Sequence, residues 1–336
     1  MPRCVVTGVA GFIGSTLARR LLADGWGVTG IDSFDPYYHR PLKENNVRDA
    51  VTAAAGAGET GRFTFVEGDV TGMDLEPYFD GCDAVFHLAA RPGVRESWGR
   101  DFTLYDRNNI LGTQRVLLAA ASLSSPPRRM VFASSSSVYG SAQGGASRED
   151  DPLRPASPYG VTKLCCEHLC RVHADAFGLS VVMLRYFTVY GPRQRPDMGI
   201  QRFIAAALSG EPVTLFGGGD QVRDFTYVDD AVEATVRAAT SDRIPAGVAF
   251  ALNAGAGSPA TLKRVIDLVG AATRRRLRVE YGPPQPGDVD ATMADTSLMQ
   301  RVLGFRPATP LPDGIAAQVS WAERAMGGEG RCPAGR

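Results

Sequence analysis

The feature that most restricts the fold is a strand, a glycine-rich turn and a helix at the N-terminus. Residues 3–7 (RCVVT) read as a short buried strand. GVAGFIG follows, with Gly8, Gly11 and Gly14, and STLARRLLADG then reads as a helix ending at Gly25. In such a unit the glycines permit a tight turn and close backbone approach. The helix N-terminus turns free N–H groups and positive dipole toward a pyrophosphate. A second strand, WGVTGID, ends at Asp32, 18 residues past Gly14. An acid there accepts hydrogen bonds from an adenosine ribose and repels a 2′-phosphate, so NAD is expected rather than NADP.

A second feature lies mid-chain. SSSSVYG at 134–140 is followed by SPYGVTK at 157–163, and the pattern after Pro158 suits a helix. Tyr159 and Lys163 then share one helix face. An ammonium beside a phenol favours phenolate, which makes Tyr159 a candidate general base. A hydroxyl from the serine cluster could hold the same substrate oxygen. A lone YxxxK is also a common exposed helix face. Here, however, lysine occurs only at 43, 163 and 263, and the other 33 basic residues are Arg. A compact ammonium kept at 163 in an Arg-dominated chain points to a tight site where Arg is no substitute.

The 336 residues are 44% hydrophobic and 21% charged, which suits a soluble protein with one large or two modest domains. Net charge is zero, so no nucleic-acid footprint is present. No apolar run approaches ~18 residues, and no signal-peptide pattern precedes the first strand, so no membrane partner is expected. The six Cys lack disulfide-framework spacing and read as packing residues of a cytoplasmic protein. With four His in the chain, no metal site is expected; His87 reads as a satisfied buried histidine.

Further strands are expected at 63–70, 83–90, 128–140 (running into the serine cluster) and 181–192, with helices at 101–121 and 158–177. Strands alternating with helices argue for an α/β fold with a doubly wound parallel sheet. Residues 1–180 are expected to form the dinucleotide-binding domain, with parts of 225–255 returning to it. Residues 181–224 and 256–330 are expected to form a smaller substrate domain, and 331–336 a tail.

The GxxGxxG spacing with a downstream YxxxK resembles the extended short-chain dehydrogenase/reductase family, over nearly the whole chain. The closest branch is that of NAD-dependent nucleotide-sugar epimerases and dehydratases. The resemblance implies a Rossmann sheet and a catalytic set of Ser135, Tyr159 and Lys163. It places Gly8, Gly11, Phe12, Ile13, Gly14 and Asp32 on the cofactor, with Asp69 and Val70 by the adenine. Leu88, Ala89, Ala90, Asn108 and Tyr186 complete that set; Ala89 and Ala90 also read as strand-end packing. The resemblance further implies a homodimer in which helices 101–121 and 158–177 form a four-helix bundle.

Members share a first step, in which tyrosinate takes a proton from a sugar hydroxyl while hydride leaves that carbon for NAD⁺. In the 4,6-dehydratases an Asp and a Glu match Ser136 and Ser137, and in the glucuronate decarboxylases a Glu matches Ser137. Serine cannot act as that carboxyl acid or base, so the set resembles an epimerase. RYFTVYGPRQRPDM (185–198), RPGVRES (91–97, with Arg95) and QPGD (285–288) resemble UDP-glucuronate 4-epimerases. Thr188 and Arg195 could hold a C5 carboxylate, although Arg195 could also be a loop Arg facing solvent or diphosphate. Arg223 matches an arginine that meets the UDP diphosphate, and Asp288 an acid that meets the uridine ribose; either could be a surface charge. Residues 198–203 and 215–230 look more like broad nucleotide-sugar epimerases. UDP-glucose and UDP-N-acetylhexosamine therefore stay open as substrates, as do decarboxylation and a non-catalytic NAD-binding role.

Overall fold

The computed structural model describes residues 1–56, 62–142 and 145–327; the expected tail at 331–336 lies outside them. The strands are, in chain order, β1 (Arg3–Thr7), β2 (Gly27–Asp32), β3 (Phe63–Glu67), β4 (Ala84–His87), β5 (Arg129–Ser135) and β6 (Val181–Tyr186). Then come β7 (Thr188–Tyr190), β8 (Val213–Phe216), β9 (Val222–Tyr227), β10 (Ala249–Ala254), β11 (Pro259–Thr261) and β12 (Val279–Gly282).

Seven strands form one sheet in the order β3-β2-β1-β4-β5-β6-β10, every pair parallel. This is the expected doubly wound Rossmann sheet. The order reverses between β1 and β4, which opens a crevice beyond their C-terminal ends. Successive residues of a strand face opposite sides. Val6, Phe86, Val131 and Val182 pack under helices Phe12–Ala23 and Val228–Thr240. Val5, Val85, Met130 and Val181 pack under Gly112–Ser122 and Pro158–Phe177. Cys166 and Cys170 are buried in that second layer as small packing residues.

Two expectations are corrected. Val181–Tyr186, assigned from the sequence to the substrate domain, is an inner strand of the large sheet between β5 and β10. All six of its residues are buried, as an inner parallel strand requires. The helix expected over 101–121 is interrupted: Phe102–Tyr105 and Gly112–Ser122 flank a π-turn at Asp106–Leu111. The wider turn coincides with a buried Asn109 whose amide donates to Thr162 Oγ1 (3.0 Å) and to Arg91 O (3.1 Å). Asn109 Oδ1 also accepts from Arg91 N (2.7 Å).

The other strands form a smaller lobe, while the helix Ser297–Leu303, expected in the substrate domain, packs with the core of the large sheet through Met299, Val302 and Leu303. Sheets β11-β9-β7 and β12-β8 pack with helices Gly199–Ser209, Leu262–Thr273 and Leu311–Gly327 around Tyr190, Ile204, Phe225 and Val265. Among the described residues no helix is long and apolar enough to cross a membrane.

Beneath the crevice lies a buried ion pair. Arg185 donates through Nε and Nη2 to the two oxygens of Glu167, both at 2.8 Å. Glu167 Oε1 also accepts from Ser134 Oγ (2.6 Å), and Arg185 Nη1 donates to Tyr139 Oη (2.7 Å). Tyr139 in turn donates to Asn253 Oδ1 (2.7 Å). Burial alone would raise the Glu167 pKa, but the bonds and charge of Arg185 outweigh it and hold the carboxyl below its ordinary value. Glu167→Gln leaves Arg185 buried without a countercharge, and urea unfolding at neutral pH should show a loss of about 3–5 kcal/mol. The double variant Glu167→Leu/Arg185→Met, apolar on both sides, should recover most of it.

Candidate active site

The crevice is a cavity of 440 Å³. Every residue expected to meet the cofactor lines it, as do Ser135, Ser136, Ser137, Thr188 and Arg195. Arg95, Arg223 and Asp288 line an adjoining cavity of 370 Å³, which shares Ser136, Ser137 and Thr188 with the first.

At the cofactor end, the helix Phe12–Ala23 begins without a side-chain cap, and Phe12, Ile13 and Gly14 line the cavity. Its first amides are therefore open to an anion. A Cβ on Gly14 would sit 2.1 Å from Gly8 O, so only glycine allows the turn to fold this tightly onto the helix. Asp32 accepts from Ala10 N (3.0 Å) and Phe34 N (2.9 Å). Burial raises its pKa above the ordinary value, while the Phe34 amide and Lys43 pull the other way. A carboxylate has about four acceptor positions, so two are left for a ribose diol. These groups fit a dinucleotide. Asp69 caps its own turn through Thr71 N (2.9 Å) and pairs with Arg107 (2.8 Å). Val70 beside it is buried in the core.

At the end where the expected catalytic residues lie, Ser157 caps the helix Pro158–Phe177 by accepting from Gly160 N (3.1 Å), and Pro158 occupies its first turn. A Cβ on Gly160 would lie 2.6 Å from Ser137 O, so glycine lets the helix press against the serine turn. The Tyr159 ring meets the edge of Tyr105 at 6.4 Å between centroids. Its hydroxyl has no hydrogen-bond partner among the described residues and is open to a substrate hydroxyl. Lys163, one turn on, is buried and donates to Ala133 O (2.8 Å). Ser135 Oγ accepts from Ser137 N (3.1 Å) and lies 3.1 Å from Ser137 Oγ, so the serine turn is held by its own hydroxyls. His87 is buried between Thr7 Oγ1 (2.8 Å) and Thr113 Oγ1 (3.2 Å). Burial, and then the charge of Lys163, lower its pKa to about 3, so it stays a neutral structural histidine.

The sequence reading missed several cavity residues. Arg91 lies over the Tyr37 ring (4.4 Å) and pairs with Asp35 (2.7 Å). Lys43 lies over Tyr38 (4.5 Å) and donates to Asp35 O (2.5 Å). A signal for Lys43 was present: two of the three lysines line this cavity, and the third, Lys263, pairs with Asp220 at the surface. Arg195 faces the cavity, yet its guanidinium is already held by Asp197 through Nε (3.0 Å) and Nη2 (2.9 Å). In the second cavity Arg95 makes the same two-point contact with Asp288 (3.1 and 2.9 Å) and lies over Phe216 (4.5 Å). Arg223 Nη1 donates to Val222 O (2.9 Å); burial lowers its pKa, opposed by Asp288.

The comparisons with known proteins agree with this geometry. The model of the NAD dependent epimerase/dehydratase family matches residues 4–253. The chain belongs to that family. It is 40% identical to an uncharacterized UDP-glucose epimerase, YtcB, of Bacillus subtilis (strain 168), over 97% of this chain and all of that one. A UDP-glucuronic acid 4-epimerase of Bacillus cereus, solved with UDP-glucuronic acid and NAD, superposes with a TM-score of 0.89 at 39% identity. That match covers 96% of this chain and 99% of the other. MoeE5, solved with UDP-glucose and NAD, superposes with a TM-score of 0.84 at 42% identity, covering 96% and 99%.

As a member of this epimerase/dehydratase family the chain uses NAD, and the glycine turn should govern its binding. Gly14→Ala should raise the NAD Kd by at least about tenfold, roughly 1.4 kcal/mol. Cofactor titration reads the change, and an unaltered circular dichroism spectrum separates it from loss of fold.

Proposed function

We propose that this epimerase-family enzyme converts UDP-glucuronate to UDP-galacturonate by 4-epimerisation. One observation carries the reading: the cavity that presents Tyr159, Lys163 and Ser135 also presents Thr188 and Arg195, and at 136 and 137 it offers hydroxyls where elimination needs carboxyls. Bound NAD supplies the acceptor and then the donor of hydride at the sugar C4.

The chain's own residues do the rest. Tyr159 takes the proton of the 4-hydroxyl and returns it, with the Lys163 ammonium one helical turn away. Ser135 holds the same oxygen. The 4-keto sugar turns within the cavity, so hydride returns to its other face. A 4-keto uronate is a β-keto acid and loses CO₂ when its carboxylate bond aligns with the ketone π system. Thr188 and Arg195 restrain that alignment by holding the carboxylate. Arg223 faces the diphosphate and Asp288 the uridine ribose in the adjoining cavity. A catalytic role rather than redox sensing is supported by the convergence of Ser135, Tyr159 and Lys163, which a sensor does not need.

A second reading, a neutral UDP-hexose as substrate, is favoured by the Arg195–Asp197 pair, in which the cation expected to hold a carboxylate is already neutralised. Incubation with UDP-glucuronate and no added reductant, followed by NMR and mass spectrometry, separates the two. The expected product is UDP-galacturonate of equal mass. Loss of CO₂, or turnover of UDP-glucose or UDP-N-acetylglucosamine alone, would overturn the proposal. Tyr159→Phe should lower kcat by about 10²–10⁴-fold.

We also propose that two copies pair through the helices at 102–122 and 158–177. Leu111, Leu118, Val161 and Val172 stand exposed there, an apolar set with no cover within one chain. Light scattering should give twice the chain mass. Leu118→Glu/Val172→Glu should give a monomer.

A further inference from the structure

Arg195 is the cation expected to hold a sugar carboxylate, but it has an acid of its own. Pro196 and Asp197 follow it, and Met198 N donates to Arg195 O (3.2 Å), closing a tight turn with proline at its second position. The turn keeps Asp197 beside the guanidinium. Asp197 takes Nε and Nη2 together, one full two-donor edge of the planar fork. Tyr37 fixes the arrangement from the opposite loop: its hydroxyl donates to Asp197 Oδ2 (3.2 Å) and its ring flanks Arg195 at 5.6 Å. Arg195 lines the cofactor cavity, whereas Asp197 lines the adjoining one, so the pair stands where the two meet.

We infer that Asp197 is a built-in competitor of the substrate carboxylate for Arg195, and so sets how strongly the site prefers a uronate to a neutral sugar. The inference deepens the uronate reading above and rests on it. A sugar carboxylate that seeks the Nε–Nη2 edge finds it occupied and meets the negative charge of Asp197 nearby. Blocked donors and like-charge repulsion both weaken uronate binding. A neutral hexose makes neither demand and leaves the pair intact. Asp197 thus brings the affinities for the two substrate classes closer together.

The test is equilibrium binding by calorimetry to NAD-loaded protein, in a Tyr159→Phe background that blocks turnover. Asp197→Asn keeps the shape and removes the charge. It should tighten UDP-glucuronate by roughly tenfold, the scale of one charge-assisted hydrogen bond, and leave UDP-glucose within about twofold. Tyr37→Phe, which loosens Asp197 without changing any charge, should shift UDP-glucuronate in the same direction by about threefold. Adding Arg195→Leu to Asp197→Asn should abolish the gain. Weaker UDP-glucuronate binding in Asp197→Asn, or an equal shift for both sugars, would overturn the inference and make Asp197 a simple brace. If the parent protein binds UDP-glucose but not UDP-glucuronate, the uronate function fails. A gain of UDP-glucuronate binding in Asp197→Asn would still support the competitor, and no gain would overturn both.

Discussion

The ion pair between Glu167 and Arg185 is the interaction on which the site depends. Glu167 lies one turn beyond Lys163 on the helix Pro158–Phe177, and Arg185 lies on β6. Ser134 on β5 bonds the same carboxylate, and Tyr139 and Asn253 carry the network to β10. Charges this deep are tolerated only with close geometry and filled hydrogen-bond positions. The pair therefore admits few placements of the helix against the sheet. Once the helix is placed, Tyr159 and Lys163 stand over the end of β5, where the serine turn begins.

A common pattern runs through the two cavities: three of the arginines that line them are matched with acids on the protein itself. Arg91 has Asp35, Arg195 has Asp197 and Arg95 has Asp288. Aromatic faces of Tyr37 and Phe216 steady three of these guanidinium groups. An anion that draws on one of these three arginines exchanges partners rather than meeting bare charge. Binding strength then reflects the difference between two partners, a finer control than a lone cation gives.

Much of the site was legible because its signals are local. The glycine turn, Asp32 and the Tyr159–Lys163 spacing each occupy one short segment, and the cofactor residues read from them all line one cavity. What escaped was non-local or irregular. The role of Asn109 depends on a π-turn that helical periodicity does not signal, and on partners 18 and 53 positions away. β6 was read into the smaller lobe because chain order does not say where a strand inserts. Arg195 was read as a holder of a sugar carboxylate or a loop arginine facing solvent or diphosphate, and the pairing with Asp197 two residues on escaped that reading.

By itself the sequence determined the α/β alternation, the dinucleotide unit, the Tyr–Lys pair and the lack of carboxyls at 136 and 137. Each follows from backbone conformation or side-chain chemistry within a few residues. Only the tertiary structure decided that β6 is an inner strand of the sheet, that Asn109 joins Arg91 to the helix Pro158–Phe177 and that Arg95 closes on Asp288. These contacts join residues as much as 193 positions apart. Which of many possible distant partners a side chain meets is settled by packing the whole chain around one core, not by any stretch of it.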